Sequence, residues 1–200
     1  YASGMASDWG VHLLDIALWT NDDLAPPETS MVYAANTYSR PRARETFDSM
    51  SITFPKADWA IHYEVTAGLQ RGPWDMLYGI AFVGDHGTLV MDRSHFKVYP
   101  EWGEDSDRHL THERTMEGGR ESHSPHIRNF LDCIRSREAP ICTPRMGRAA
   151  ALHAHIANIA GRVNEPVLHW DDAANRFTNS EAANALIAPK YRKPWELPKV

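Results

Sequence analysis

Strand and helix signals are segregated along this chain, and their order limits the folds that it can adopt. One helical segment near the start is followed by five or six segments with strand character, and helical patterning returns near residue 124. This order differs from the alternating βαβ pattern that builds parallel sheets. The sequence therefore predicts an α+β fold, in which helices pack on one face of an open, mostly antiparallel β-sheet.

The strand signals lie between residues 31 and 99. From Trp59 to Val65, apolar residues occupy every second position, which is the period of a half-buried strand. The intervening His62 and Glu64 would line a second face of the sheet, either in solvent or against another subunit. The sequence GDHG at 84–87 predicts a hairpin turn between strands at 77–83 and 88–91. The remaining strand candidates are residues 31–39, 47–54 and 96–99.

The helical signals lie at the two ends of the chain. Ser7 and Asp8 are typical of an N-cap, and about three turns of helix are predicted after them. In the sequence HIRNFLDCIRSR, the apolar residues 127, 130, 131 and 134 share one helix face. Further helices are predicted at 145–162 and 180–187, and the polar stretch 101–123 is expected to run over the surface. We expect one domain over residues 1–188, with an irregular tail over 189–200 that Trp195 docks onto it.

The composition argues against several classes of partner. The net charge is −5 and no basic cluster is present, which speaks against nucleic acid and anionic membranes. No apolar run approaches the ~20 residues that a membrane-spanning helix needs. Two cysteines, Cys133 and Cys142, are too few for a disulfide framework. Because a helix follows almost at once after Tyr1, we expect the chain to begin inside a larger gene product, which leaves both a cytoplasmic and an exported location open.

The first helix carries the clearest constellation of polar side chains. Asp8, His12 and Asp15 have the spacing i, i+4 and i+7, which places them in one stripe of a helix that is otherwise apolar and is expected to be buried. A carboxylate one turn from an imidazole can fix its tautomer, and such a histidine can take a proton from a hydroxyl group. Gly10 would leave room for a ligand or another backbone. Spacing alone keeps two other interpretations open, namely a capping Asp8 with a satisfied polar cluster, and a metal site.

Several other histidines and one tryptophan are candidate site residues. The H-x-x-H pairs at 109/112 and 123/126 have spacing that metal sites can use, but no regular cysteine or carboxylate pattern accompanies them, so we predict no metal site. His126 heads a helical block and is a candidate for the substrate cleft, with a solvated or capping role as the alternative. Trp9 adjoins Asp8 and is a candidate for stacking on a sugar, with core packing as the alternative.

Four ordered blocks of this sequence resemble the Gfo/Idh/MocA family of NAD(P)-dependent oxidoreductases, in particular a bacterial subgroup. The first contains the D-x-G-x-H-x-x-D pattern of the family, and the second resembles its F-x-G-x-x-G-x-L turn. Together the blocks extend from Gly4 to Trp195, so the resemblance covers nearly the whole chain. The blocks are SGMASDWGVHLLDIALW, AFVGDHGTLVMDR, HIRNFLDCIRSREAP and EAANALIAPKYRKPW.

The resemblance implies the C-terminal, substrate-side domain of a two-domain enzyme, with a dihydrodipicolinate-reductase-like fold. It implies an N-terminal Rossmann domain that binds NAD or NADP, a sugar, polyol or glycoside as the substrate, and a homo-oligomer formed through the open sheet. Asp8 and His12 match the catalytic pair of the family, with His12 as the general base and Asp8 as the residue that orients it. Asp15 matches the trailing aspartate, with a structural or substrate-positioning role.

The departures from the family pattern define the alternatives. The chain has no G-x-G-x-x-G turn and no E-K-P lysine, so we expect it to bind no cofactor of its own and to be inactive alone. The parent enzyme could be a plain dehydrogenase, or could use transient oxidation to cleave a glycoside. The alternatives are a stand-alone, non-catalytic domain for sugar binding or oligomerisation, and a metal-dependent hydrolase that uses the histidines.

Overall fold

A computed structural model describes residues 3–38, 45–104, 108–118, 123–188 and 191–196. The chain forms two compact units, of which unit 1 comprises Tyr1–Ala67 and Arg145–Val200, and unit 2 comprises Gly68–Pro144. Each unit contains one antiparallel sheet, so the predicted α+β class is confirmed. No helix in the described ranges is both long enough and apolar enough to cross a membrane.

Five helices and nine strands make up the described structure, together with one short 3₁₀ turn. The helices are α1 (Met5–Asp8), α2 (Gly10–Thr20), α3 (Ser124–Ser136), α4 (Pro144–Val163) and α5 (Glu181–Asn184). The strands are β1 (Thr29–Ala35), β2 (Ser49–Pro55), β3 (Ala60–Thr66), β4 (Ile80–Gly84), β5 (Gly87–Met91), β6 (His95–Pro100), β7 (Arg114–Glu117), β8 (Val167–Asp171) and β9 (Arg176–Phe177).

The sheet of unit 1 has one buried face and one open face. Its strand order is β3-β2-β1-β8-β9, and all four pairings are antiparallel. Along β3, Ile61, Tyr63 and Val65 are buried while His62 and Glu64 are exposed, as the two-residue period predicts. The open second face expected from the sequence is therefore present.

Helices α2 and α4 contribute to the core of unit 1. Leu14 and Leu18 of α2 are fully buried, and α4 contributes a run of small side chains. At the end of this run, a Cβ atom on Gly161 would lie 2.9 Å from Ala34 Cβ and 2.9 Å from Phe47 Cε2, so only glycine fits here without a shift. The buried alanines of α4 are Ala149, Ala150, Ala154, Ala157 and Ala160.

The sheet of unit 2 has the strand order β4-β5-β6-β7 and is antiparallel throughout. Residues Asp85 and His86 connect β4 to β5, and Gly84 pairs with Gly87, so the predicted hairpin is confirmed. Strand β7 lies in the stretch that we expected to run over the surface; Arg114, Thr115 and Met116 are exposed there, but the strand itself was not predicted. The strand is short and lies at a sheet edge, where an alternating apolar pattern is not required.

The start of the chain differs from the prediction. Asp8 is the last residue of α1 and is not an N-cap; Gly4, with a φ angle of 72°, precedes that helix. A single residue, Trp9, separates α1 from α2, which begins at Gly10, and the backbone at Trp9 remains right-handed helical. Strands β8 and β9 were not predicted, although Leu168 and Trp170 of β8 alternate with exposed residues.

The other helix predictions agree with the structure. Helices α3 and α4 lie where the sequence predicted them, and α5 lies within the predicted segment 180–187. The Ser180 hydroxyl caps α5 by accepting a hydrogen bond of 3.0 Å from the Ala183 backbone N–H. In the tail, the side chain of Trp195 is 69% exposed.

One histidine is part of the core. The side chain of His153 in α4 is fully buried, its ring meets the Phe54 ring edge-on at 5.0 Å, and its Nδ1 lies 2.8 Å from the Ala149 carbonyl oxygen. Nδ1 therefore carries the proton and donates, while Nε2 has no hydrogen-bond partner among the described residues. Burial lowers the pKa of His153 to about 4, so the imidazole is neutral at physiological pH.

The two glycines of α4 provide a matched test of this packing. We expect Gly161→Ala to lower the free energy of unfolding by about 1–3 kcal/mol, because the new methyl group overlaps Ala34 and Phe47. Nothing lies within 4 Å of a Cβ atom on Gly147, so Gly147→Ala should raise stability by up to about 1 kcal/mol through helix propensity. Urea denaturation of both variants measures these changes. Equal stability of the two variants would contradict the packing described here.

His153 makes the stability of unit 1 sensitive to acid. The pKa is about 4 in the folded chain and 6.5 for the unperturbed side chain, so between these values only the unfolded chain binds the proton. The contribution of His153 to the free energy of unfolding is therefore fully present above pH 6.5. It declines by roughly 3 kcal/mol as the pH falls to 4. We expect the free energy of unfolding of His153→Leu to fall less than that of the wild type between pH 6.5 and pH 4. Denaturant titrations at a series of pH values measure this difference. Parallel pH profiles for the two chains would show that His153 is not the responsible group.

Candidate active site

The junction of α1 and α2 is fixed by contact with the sheet of unit 1. Gly10 is buried, and a Cβ atom there would lie 3.2 Å from both Cε1 and the hydroxyl oxygen of Tyr63. The sequence predicted room beside Gly10 for a ligand or another backbone. In the structure, the Tyr63 ring occupies this position. The Tyr63 hydroxyl donates a hydrogen bond of 3.4 Å to the Met5 carbonyl, and burial raises its pKa to about 12.

His12 lies on the solvent side of α2. Because Leu14 and Leu18 are buried, the helix turns His12 outward, and its side chain is exposed. The expectation that the whole helix is buried is therefore wrong for His12, and also for Asp8, which is exposed as well. An exposed imidazole is accessible to a small molecule, which a buried and satisfied histidine would not be.

Asp15 is the carboxylate that α2 places near His12. It follows His12 by three residues, is half-buried, and has its pKa raised by burial, an effect that the charge of His12 partly opposes. Trp9 lies on the other side of His12, where the two rings meet edge-on with centroids 6.1 Å apart. Asp15, His12 and Trp9 thus form one local group.

Asp8 belongs to a different helical segment from His12. It ends α1, and the His12 backbone N–H bonds to the Trp9 carbonyl oxygen at 3.1 Å, in the turn that starts α2. Trp9, the residue between the two helices, keeps right-handed helical backbone angles, with φ −79° and ψ −32°. The orienting role of Asp8 stays a prediction.

The remaining histidine candidates lie in unit 2. His126 is exposed in the first turn of α3, whose N-cap position is occupied by His123. His109 stacks on Trp102 with ring centroids 4.0 Å apart, which gives it a local packing role. Across the described ranges, no group of three or more His, Cys, Asp or Glu side chains could hold a metal ion.

The described residues do not offer a cradle for a dinucleotide. Such a site needs a glycine-rich turn between a parallel strand and the N-terminus of a helix. Every strand pairing in the two sheets is antiparallel, and the glycine-containing turn between β4 and β5 joins two strands. On the first two helices, an exposed imidazole, an aromatic ring and a carboxylate lie near one another, and groups of these kinds can support proton transfer.

Comparison with protein families gives one match. The profile described as the C-terminal alpha/beta domain of the oxidoreductase family, of the Gfo/Idh/MocA type, matches residues 65–197. The matched range is about two-thirds of the chain and includes His126 but not the first two helices. No curated protein sequence matches this chain.

Solved structures share the fold at low sequence identity. A protein from Klebsiella pneumoniae that is classed as an oxidoreductase is 14% identical, with a TM-score of 0.59; the match covers 92% of this chain and 53% of that one. One from Bacteroides fragilis is 12% identical, with a TM-score of 0.56, and the coverage is 86% and 53%. Myo-inositol dehydrogenase from Lactobacillus casei, solved with NAD(H) and myo-inositol, is 15% identical, with a TM-score of 0.50 and coverage of 86% and 49%.

The family profile and the solved structures all point to oxidoreductases. The chain spans about half the length of the similar solved structures, and their low identity establishes a common fold and nothing more. The family profile rests on a different stretch of the sequence from the first-helix motif, so the two kinds of evidence are independent. The chain belongs to the Gfo/Idh/MocA oxidoreductase family, as its C-terminal α/β domain.

Proposed function

We propose that this chain is the substrate-side part of an NAD(P)-dependent oxidoreductase that acts on a sugar, a polyol or a glycoside. The observation that carries the proposal is the exposed His12, with Trp9 and Asp15 beside it on a helix anchored to the sheet. Family membership supports an oxidoreductase. The Lactobacillus casei enzyme, which binds myo-inositol, supports a polyhydroxylated substrate.

His12 is the proposed general base that takes a proton from a substrate hydroxyl. An imidazole suits this role, because its ring nitrogen can accept a proton and the exposed position of His12 lets a hydroxyl group reach it. Two carboxylates are candidates for the residue that orients it. Asp8 is the one that the family resemblance implies, and Asp15 is the one whose ionisation responds to the charge of His12.

Trp9 and His126 are the proposed substrate-binding residues, together with Asp15. The Trp9 ring is half-buried, and the apolar face of a sugar ring could stack on its accessible part. His126 is exposed and can donate or accept a hydrogen bond.

The nicotinamide cofactor is proposed to bind outside these residues. The antiparallel sheets of this chain do not fit the cofactor, so no step of hydride transfer is assigned to them. This chain's proposed share of the reaction is to bind the substrate and to hold the proton at His12. Whether the net reaction is dehydrogenation or glycoside cleavage depends on steps outside this chain.

The role of His12 can be tested in the complete product of the gene. We expect His12→Ala to lower kcat by roughly 100- to 10,000-fold, because general-base catalysis contributes that much, with a smaller change in KM. NADH formation and aglycone release should both be measured with a panel of sugars, polyols and glycosides. The matched control is His86→Ala, which removes an exposed histidine from the turn between β4 and β5. Full activity of His12→Ala would remove His12 from the mechanism.

The same assay distinguishes the two carboxylates. Asp8→Asn and Asp15→Asn each keep the size of the side chain and remove its charge. The carboxylate that orients His12 should, when replaced, lower kcat and shift the pH profile of kcat, whereas the other variant should leave that profile unchanged.

We also propose that a second copy of this chain binds the open face of the five-stranded sheet. Met31 and Tyr33 of β1 are 47% and 67% exposed on this face, and Val167 of the adjacent β8 is also exposed. Large exposed apolar side chains grouped on one face are typical of an interface. The same observation supports the alternative function, in which the domain serves oligomerisation without catalysis.

Replacing Tyr33 tests this contact. We expect Tyr33→Glu to weaken self-association, because each new carboxylate would have to be desolvated in the interface. Sedimentation velocity over a range of concentrations gives the mass of the chain. The control is Tyr38→Glu, which changes an equally exposed tyrosine outside the strands. Identical association of the two variants would contradict the proposed use of this face.

A further inference from the structure

Helix α2 ends in a turn that is usually built on glycine. The Asp22 N–H donates to the Trp19 carbonyl oxygen at 3.1 Å, and the Asp23 N–H donates to the Leu18 carbonyl oxygen at 3.0 Å. These two bonds form a Schellman motif, whose left-handed residue here is Asp22, with a φ angle of 48°. A residue with a Cβ atom adopts this conformation at a cost in free energy, so contacts outside the turn must help to hold it.

Lys56 supplies such contacts from the connection between β2 and β3. Its Nζ atom lies 3.3 Å from Asp23 Oδ2 and donates a hydrogen bond of 2.9 Å to the Ala25 carbonyl oxygen. Asp23 Oδ1 in turn accepts a hydrogen bond of 2.9 Å from the Ala25 N–H. The side chain of Lys56 is only 6% exposed and that of Asp23 is 23% exposed, so the ion pair is largely shielded from water. Removing either charge would leave the other desolvated and without its partner.

The position of the Lys56 ammonium is itself well defined. It lies 6.0 Å from the centre of the Trp59 ring, and the Lys56 backbone N–H donates to the Trp59 carbonyl oxygen at 2.9 Å. Trp59 packs against the core of unit 1. The cation also offsets an unfavourable arrangement, because Asp22 and Asp23 place two carboxylates beside the negative end of the dipole of α2.

Strand β3 and the connection before it therefore hold both ends of α2. Tyr63 of β3 contacts Gly10 at the start of the helix, and Lys56 binds the turn at its end. Two anchors fix the rotation of a helix about its own axis as well as its place on the sheet. That rotation determines which side chains face solvent, and His12 is one of them.

We propose that Lys56 is a positioning residue for His12. It acts through Asp23 and α2 and touches no substrate itself. This inference rests on the proposed function of His12 as the general base. Loss of the ion pair would let the end of α2 open and would change the direction of the imidazole. Misplacement of a catalytic group by about 1 Å is enough to slow a reaction by roughly 100-fold.

Hydrogen exchange of the 200-residue chain tests the contact. Lys56→Met keeps the length of the side chain and removes its charge. We expect the amides of Asp22 and Asp23 to exchange at least about 10-fold faster in this variant, relative to the amides of β3, because local opening no longer breaks an ion pair. Lys56→Arg keeps the charge and the donors and should exchange like the wild type. If Lys56→Met does not fold, Asp23→Asn, which keeps an oxygen for the Ala25 N–H, takes its place.

The complete product of the gene tests the effect on catalysis. We expect Lys56→Met to lower kcat by roughly 10- to 100-fold, at a temperature where every variant is folded, and Lys56→Arg to retain most of the activity. The matched control is Gly161→Ala, which strains the packing of α4 and makes no contact with α2. It should lower the stability of unit 1 and leave kcat unchanged.

Each result bears on a separate step of the proposal. Unchanged exchange in Lys56→Met would overturn the anchor at the end of α2. Faster exchange together with a kcat equal to that of Gly161→Ala would overturn the positioning role, and so would equal losses in Lys56→Met and Lys56→Arg. Full activity of His12→Ala would overturn the proposed function and the catalytic role of Lys56 with it, whereas the exchange result for the ion pair would stand.

Discussion

Small side chains on α4 determine how closely this helix approaches the five-stranded sheet of unit 1. The five buried alanines and Gly161 present little more than backbone, so the helix can lie close to the sheet. A helix on one side leaves the other side of the sheet without cover, and the strands divide their residues accordingly. Ile61 and Tyr63 point to the helices, while His62 points away. The open face and the anchored position of α2 both follow from this one-sided packing.

Those parts of the fold that rest on local periodicity could be predicted from the sequence. The alternation in β3, the hairpin at Asp85–His86 and the amphipathic pattern of α3 are each encoded within a few residues. Strand β8 has only five residues, and its partner β1 is more than 130 positions away in the chain, so local reasoning did not identify it. The division into two compact units depends on contacts between distant segments and was equally inaccessible.

The candidate site was likewise predictable only in part. His12, Trp9 and Asp15 could be singled out from the sequence because they lie within seven consecutive residues. The burial of the helix is less than the hydropathy of residues 8–19 predicts, because hydropathy does not reveal which side of the helix faces the sheet; Leu14 and Leu18 are buried, whereas His12 is exposed. The contact of Gly10 with Tyr63, a residue more than 50 positions later, was also beyond local reasoning. Family resemblance supplied the role of His12, and the structure adds that the imidazole is open to solvent.

The fit between Gly10 and Tyr63 ties two distant parts of the chain together. Position 10 requires glycine only as long as an aromatic ring occupies position 63. That ring fits only as long as position 10 has no side chain. Substitution at either position alone would leave a void or a collision, and either would disturb the helix that carries His12. The two positions should therefore change together during evolution, so that a larger residue at 10 accompanies a smaller one at 63. Catalytic geometry in this family would then be inherited through a pair of residues that never touch the substrate.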